Sequence, residues 1–203
     1  AAPSMGQKVI IWDRETGNTI HQFADLKGEV YWARWSPDGQ YFLFSGESGN
    51  LIPYNASTWK PLFGRGGGSH YLCAAFSPDG NGLAVASEIE GQEGGLSFLK
   101  SLDFKKHSNP SISMSGSTVI RDMVFSPRSS VLATVSSGGE FILRTAPRFR
   151  ELNQDYFFTK VMASLESVAW SPNGKIIVTG ASDGIITVRN SKGEISHKLD
   201  VHK

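Results

Sequence analysis

Apolar residues in this chain come in short runs broken by Gly, Pro, Asp, Asn or Ser. Examples are Val9-Ile10-Ile11-Trp12, Tyr41-Phe42-Leu43-Phe44, Leu83-Ala84-Val85-Ala86, Phe141-Ile142-Leu143 and Ile176-Ile177-Val178. The runs are rich in β-branched and aromatic residues, which suit a pleated, packed surface. Several are almost wholly apolar, the pattern of strands covered on both faces. No long stretch holds a helical period. Residues 155–165 come nearest and stand as a rival helix. The pattern therefore predicts many short strands and an all-β fold.

One phrase punctuates these runs four times. It reads Trp35-Ser36-Pro37-Asp38-Gly39, Phe76-Ser77-Pro78-Asp79-Gly80, Phe125-Ser126-Pro127 and Trp170-Ser171-Pro172-Asn173-Gly174, at intervals of 41, 49 and 45 residues. Pro presets φ at the second turn position, and Asp or Asn before Gly tolerates the left-handed region, so each phrase is a hairpin corner. Corners recurring at this spacing mark a repeat architecture. Four units follow, at 30–63, 71–115, 119–159 and 165–199. The first has strands a to d at 30–35, 41–45, 51–55 and 60–63. The second has 71–76, 83–87, 96–99 and 112–115. The third has 119–125, 131–135, 141–144 and 156–159, and the fourth 165–170, 175–179, 185–189 and 194–199. Residues 88–95 form an acidic, Gly-rich insertion that accounts for the longest interval. Ahead of the first unit, 1–7 read as a flexible leader, and 8–23 as a half unit of two strands, c and d.

Four strands per unit, a Ser-Pro corner and a strand ending in Trp-Asp resemble the WD-repeat (WD40, tryptophan–aspartate) β-propeller family. The fullest match is 177–190, Ile-Val-Thr-Gly-Ala-Ser-Asp-Gly-Ile-Ile-Thr-Val-Arg-Asn, with Arg189-Asn190 where Trp-Asp would stand. Trp12-Asp13 is the intact pair, and Tyr54-Asn55, Arg144-Thr145 and Leu99-Lys100 take its place elsewhere. The Gly-His dipeptide that precedes strand a in the family is absent from every unit, so the family's buried His-Asp-Ser-Trp network is incomplete. A TolB-like propeller, which also uses Ser-Pro-Asp-Gly, is the rival resemblance. Trp12-Asp13 with Thr16-Gly17 favours the WD-repeat reading. The resemblance implies an all-β propeller of about four complete blades plus a half blade, partial or open, within a longer propeller. It also implies structural roles for Trp12, Asp13, Trp35, Phe76, Phe125, Trp170 and Asp183. Trp12 and Trp170 are expected to be buried, and Asp183 to hold its turn. The strand at 9–12 is expected to have no strand of its own chain on its inner side. The resulting open arc is expected to pair with another chain.

A net charge of +1 gives no general attraction to nucleic acid or an anionic membrane. No apolar run approaches the length of a spanning helix, and no signal peptide opens the chain, so an intracellular protein, cytoplasmic or nuclear, is expected. Cys73 sits inside an apolar run and reads as an inert buried thiol. Catalytic patterns do not assemble. The glycine run at 64–69 lacks the Gly-Lys-Ser/Thr ending of a phosphate loop, and residues 45–49 do not spell a nucleophile elbow. The five histidines show no metal-ligand spacing, and Asn55-Ala56-Ser57 is a sequon only in a secreted protein. No cofactor and no metal are expected.

What remains is binding by loops on a rigid scaffold. The candidates are Asp25, Lys27, Glu47, Arg65, Ser182 and the acidic insertion with Glu88, Glu90 and Glu93. Arg148 and Arg150, with Arg144 and Lys160, form a basic, aromatic-flanked connection in the third unit. Tyr31 and Trp32 point to opposite faces of their strand, so one of them is a candidate to line the ring opening, where the family binds peptides. Two functions are open. One is a non-enzymatic protein–protein interaction scaffold, a subunit of a larger complex whose partners are other protein chains, including one that completes the propeller. The other is an accessory propeller domain of an enzyme or receptor with its catalytic part outside this chain.

Overall fold

The structure is a computed structural model. It describes residues 2–4, 8–26, 28–46, 51–62, 69–89, 95–100, 112–113, 118–145, 150–151 and 159–201. Among these there is no helix, so the rival at 155–165 fails where it is described: β15 and β16 occupy Thr159–Lys160 and Leu165–Trp170. Cα packing divides the chain into two units, Ala1–Cys73 with Ser87–Gln92, and Ala74–Ala86 with Glu93–Lys203.

In the first unit, β1 (Ala2–Ser4), β2 (Lys8–Trp12) and β3 (Thr19–Phe23) form one antiparallel sheet in that order. β1 corrects two expectations. Part of the leader is a strand, and β2 does have a strand of its own chain beside it, through Ala2↔Ile10, Pro3↔Val9 and Ser4↔Lys8. Pro3 is tolerated there because an outer strand need not donate from both edges. β4 (Val30–Trp35), β5 (Tyr41–Gly46) and β6 (Ile52–Asn55) form the second sheet. The strand expected at 60–63 shrinks to one bridge, Tyr54↔Pro61, since Pro61 has no N–H to extend the ladder. Val9, Ile11 and Phe23 pack with Val30, Phe42 and Phe44 into one core, to which Tyr54 and Trp59 add their rings. The alternation that turns Ile11 inward turns Trp12 outward, and Trp12 is 42% exposed against the expected burial.

A third sheet orders β10 (Ile112–Ser113), β9 (Gly95–Lys100), β8 (Gly82–Ile89) and β7 (Ser69–Phe76). β8 runs to Ile89, so Glu88 is strand rather than insertion. Cys73 is buried, as read. The fourth sheet takes β11 (Ile120–Phe125), β12 (Val131–Ser136), β13 (Glu140–Thr145) and β14 (Arg150–Glu151) in order, with β15 (Thr159–Lys160) also on β13. Of the outer strand expected at 156–159 only Thr159 is described, and it is in strand, as β15. Residues 156–158 lie outside the described residues. The fifth sheet runs β16 (Leu165–Trp170), β17 (Ile176–Ala181), β18 (Ile185–Asn190) and β19 (Ile195–Asp200). Ala133, Val135, Phe141 and Leu143 of the fourth sheet share a core with Leu165, Val168 and Ile177 of the fifth. Trp170 packs half-buried against them.

The corners form as the sequence demands. Ser36 Oγ donates to Asp38 Oδ1 at 2.6 Å and accepts from Tyr41 N at 2.9 Å, and Gly39 takes φ 70°. Ser77 with Asp79 and Ser171 with Asn173 repeat this at 2.5 and 2.7 Å. Where the family has the Asp of Trp-Asp, an Asx side chain caps the c–d turn. Asp13 Oδ1 accepts from Glu15 N and Thr16 N, Asn55 Oδ1 from Ser57 N and Thr58 N, and Asn190 Oδ1 from Lys192 N and Glu194 N. The role belongs to an acceptor of that length, so Asn serves as well as Asp.

Candidate functional site

In each unit the Ser-Pro corner closes one end of the sheet. In the fourth and fifth sheets the start of strand a and the b–c turn meet at the other end. In the fifth sheet Leu165 pairs Ala181, and Ser182 N donates to Ser164 O at 2.9 Å. In the fourth, Ser137 N donates to Val119 O at 2.8 Å, and Val119 N donates to Ser137 Oγ at 3.0 Å. The b–c turn is thereby tied to the segment entering strand a. In the fifth sheet's turn, Asp183 Oδ1 accepts from Ile185 N at 3.0 Å, the turn-holding role expected of it.

A β-bulge recurs at that end. The register of strand a against strand b shifts between Val30 and Trp32, between Ile120 and Asp122, and between Leu165 and Ser167. The extra residues are Tyr31, Arg121 and Glu166, each four positions before its corner aromatic. A bulge re-aims the side chain it adds, and all three are exposed, Tyr31 at 53%. Arg121 and Glu166 stand at 3.9 Å from each other with half of each side chain in solvent. Such a pair adds little stability and exchanges its partner readily for an incoming charge. Strand a is the edge strand of its sheet, so alternate backbone donors along it face away from strand b. Val168 N, just past the bulge of β16, donates to Asp122 Oδ2 of β11 at 3.1 Å, stitching two sheets.

Of the sequence candidates, Asp25 and Ser182 are exposed on connections at this end of their sheets, Asp25 at φ 56°. Lys27, Glu47, Arg65, Glu90, Glu93 and Arg148 lie outside the described residues. Glu88 and Arg150 fall in strands β8 and β14, not in loops. Trp32 is 7% exposed, so it is Tyr31 that faces solvent from this pair. Arg144 leaves the expected basic surface, because it is 3% exposed and its Nη1 donates to Thr134 Oγ1 at 2.8 Å. Arg121 and Glu166 were missed. Their signal was the constant distance to the corner, which only a bulge makes meaningful. No group of three or more metal-ligating side chains occurs among the described residues. Nor does any described helix have the length and apolarity to cross a membrane.

The turn carboxylates are held ready. The Ser36 hydroxyl lowers the pKa of Asp38, and the Ser77 hydroxyl that of Asp79. The Thr16 backbone N–H lowers that of Asp13. Each is an acceptor in the ionised state, which the donors favour.

Successive antiparallel sheets built from consecutive strands are blades, and the fold is an all-β propeller. It aligns with the β-propeller domain of Cps50 (Swd1) from Myceliophteria thermophila with a TM-score of 0.75 at 15% identity, over 97% of this chain and 67% of that one. Residues 162–190 match the family model of the WD domain, G-beta repeat. The fold is that of a WD40-type β-propeller, and this stretch is a WD40 repeat.

Proposed function

We propose that this chain is a non-enzymatic interaction scaffold. It binds peptide segments or protein partners at the sheet ends where bulges, b–c turns and d–a connections gather. The recurring bulge carries the reading. Three sheets spend a ladder position to present Tyr31, Arg121 and Glu166 to solvent, and bulges of this kind are placed features rather than defects. In the second compact unit a cation and an anion stand together, which suits a polar contact surface, and in the first an aromatic ring stands at the equivalent position of its own sheet. Side chains on such rigid elements lose little freedom on binding.

The test compares two variants by quantitative affinity capture from the source cells. One is Tyr31→Ala/Arg121→Glu/Glu166→Arg. The other is Arg14→Glu/Lys192→Glu, which alters exposed residues of the c–d turns at the opposite sheet ends. Both sets of positions are solvent-exposed, so melting should stay within a few degrees of the parent. Partners should be lost with the first variant and kept with the second. The same partners retained by the first, or lost only with the second, would overturn the assignment.

A further inference from the structure

Arg189 is 1% exposed, among the most completely buried large side chains described. Its Nη1 donates to Gly193 O at 3.1 Å, and its Cζ lies 4.5 Å from the centre of the Phe141 ring. Nε has no partner. No carboxylate among the described residues reaches it. A guanidinium cannot shed its proton at neutral pH to escape this burial, and one carbonyl with one ring face replaces only part of its lost hydration. Burial lowers its pKa to about 10, which leaves it charged at neutral pH.

The neighbouring blade holds its arginine through the threonine that the fifth sheet leaves unused. Arg144 holds the same place in the fourth sheet, bonded to Thr134. Glu151 is its register partner on the next strand. In the fifth sheet the partner of Arg189 is Ile195. Thr179 stands to Arg189 as Thr134 to Arg144, on the same face and one register step away, yet its hydroxyl is buried and unbonded. The same face carries Trp170, in register with Ile177 and through it with Arg189, and its Nε1 is also buried without a partner. Two nitrogen donors and a hydroxyl are therefore left bare on one buried face, around one uncompensated cation.

We propose that the fifth sheet holds a small inorganic anion, chloride in physiological solution, on Arg189 and Thr179, with Trp170 Nε1 on the same face. Nε–H and the hydroxyl are donors of the kind a halide accepts, and its single charge balances the guanidinium.

Two measurements test this on the full chain. Melting is followed in sodium chloride and in sodium gluconate, a much larger anion, at equal ionic strength. Chloride should raise Tm by about 3–5 °C per tenfold increase above its Kd, and gluconate should not. Arg189→Met should abolish the difference and melt in gluconate no lower than the parent. Because that variant disturbs a core, Thr179→Val serves beside it. It keeps the cation and should weaken the chloride response about tenfold in midpoint. Crystals grown in sodium bromide should show an anomalous peak beside Arg189. Equal melting in the two salts, or density there without anomalous signal, would overturn the proposal.

Discussion

Trp59 sits in a conformation its side chain disfavours. It takes φ 55° at the turn position where Gly17 and Gly193 stand in other units, at φ 72° and 93°. A bulky residue there costs about 1–2 kcal/mol. The offset is aromatic. Its ring stacks on His21 at 4.7 Å and 4°, and meets Phe23 and Trp35 edge-on at 6.0 Å each. Trp59→Gly relieves the backbone but removes these contacts, and the loss is the larger effect. We expect a net cost of about 1–3 kcal/mol in denaturant unfolding. A Gly variant as stable as the parent would show that the ring contributes nothing. Asp183 is a milder case. It holds its turn from an exposed position, so Asp183→Ala should cost no more than about 1 kcal/mol.

At the scale of elements, the bulges connect stability with display. Each one ejects a residue to solvent from an edge strand, whose outward backbone donors its own sheet does not use. Asp122 receives one of these donors across a sheet boundary. Removing that carboxylate leaves Val168 N–H without its acceptor, so Asp122→Ala should cost about 1–3 kcal/mol. Asp122→Asn keeps an acceptor oxygen and should recover at least half of the loss. Hydrogen exchange at Val168 separates this account from a general loosening: its amide should lose protection in Asp122→Ala before its neighbours in β16 do. Unchanged protection there would show that the stitch is not closed in solution.

At the scale of the whole chain, the repeated turns make acid sensitivity a shared property. Asp13, Asp38 and Asp79 all have pKa values below the ordinary carboxylate value. A carboxyl whose folded pKa is depressed stabilises the fold fully above its unfolded pKa, near 4, and loses that contribution as pH falls through the folded value. Stability should therefore hold from neutral pH down to about 5 and fall steadily below 4. Ser36→Ala/Ser77→Ala removes the largest cause of two of these shifts. It should flatten the acid limb of a plot of Tm against pH, besides lowering the neutral plateau. Parallel curves would mean the hydroxyls do not set the acid response.

How much of this was legible beforehand follows from the range of each interaction. The strands, the corners and the Asx-capped turns depend on residues within about five positions of each other. The Ser36, Ser77 and Ser171 bonds all close inside their own phrases, and the period of those phrases was enough to predict a propeller. Burial patterns along β5 and β12 were equally local, since an unbroken apolar run leaves no polar face to expose. Tertiary structure decided the rest. Pairing between β1 and β2 depends on a backbone ladder that the composition of Ala2–Ser4 does not advertise. Whether Trp12 or Ile11 turned inward was a choice of face, made by the neighbouring sheet. Arg144 read as a surface cation and is buried, and Arg189, read only as standing where the family has Trp, is a buried cation too. Tyr31, Arg121 and Glu166 became a set only when a register shift, invisible in any single strand, turned all three to solvent. Local chemistry determined which elements form. Which side chains they bury or present was decided by register and by the sheet next door, because those are relations between segments tens of residues apart.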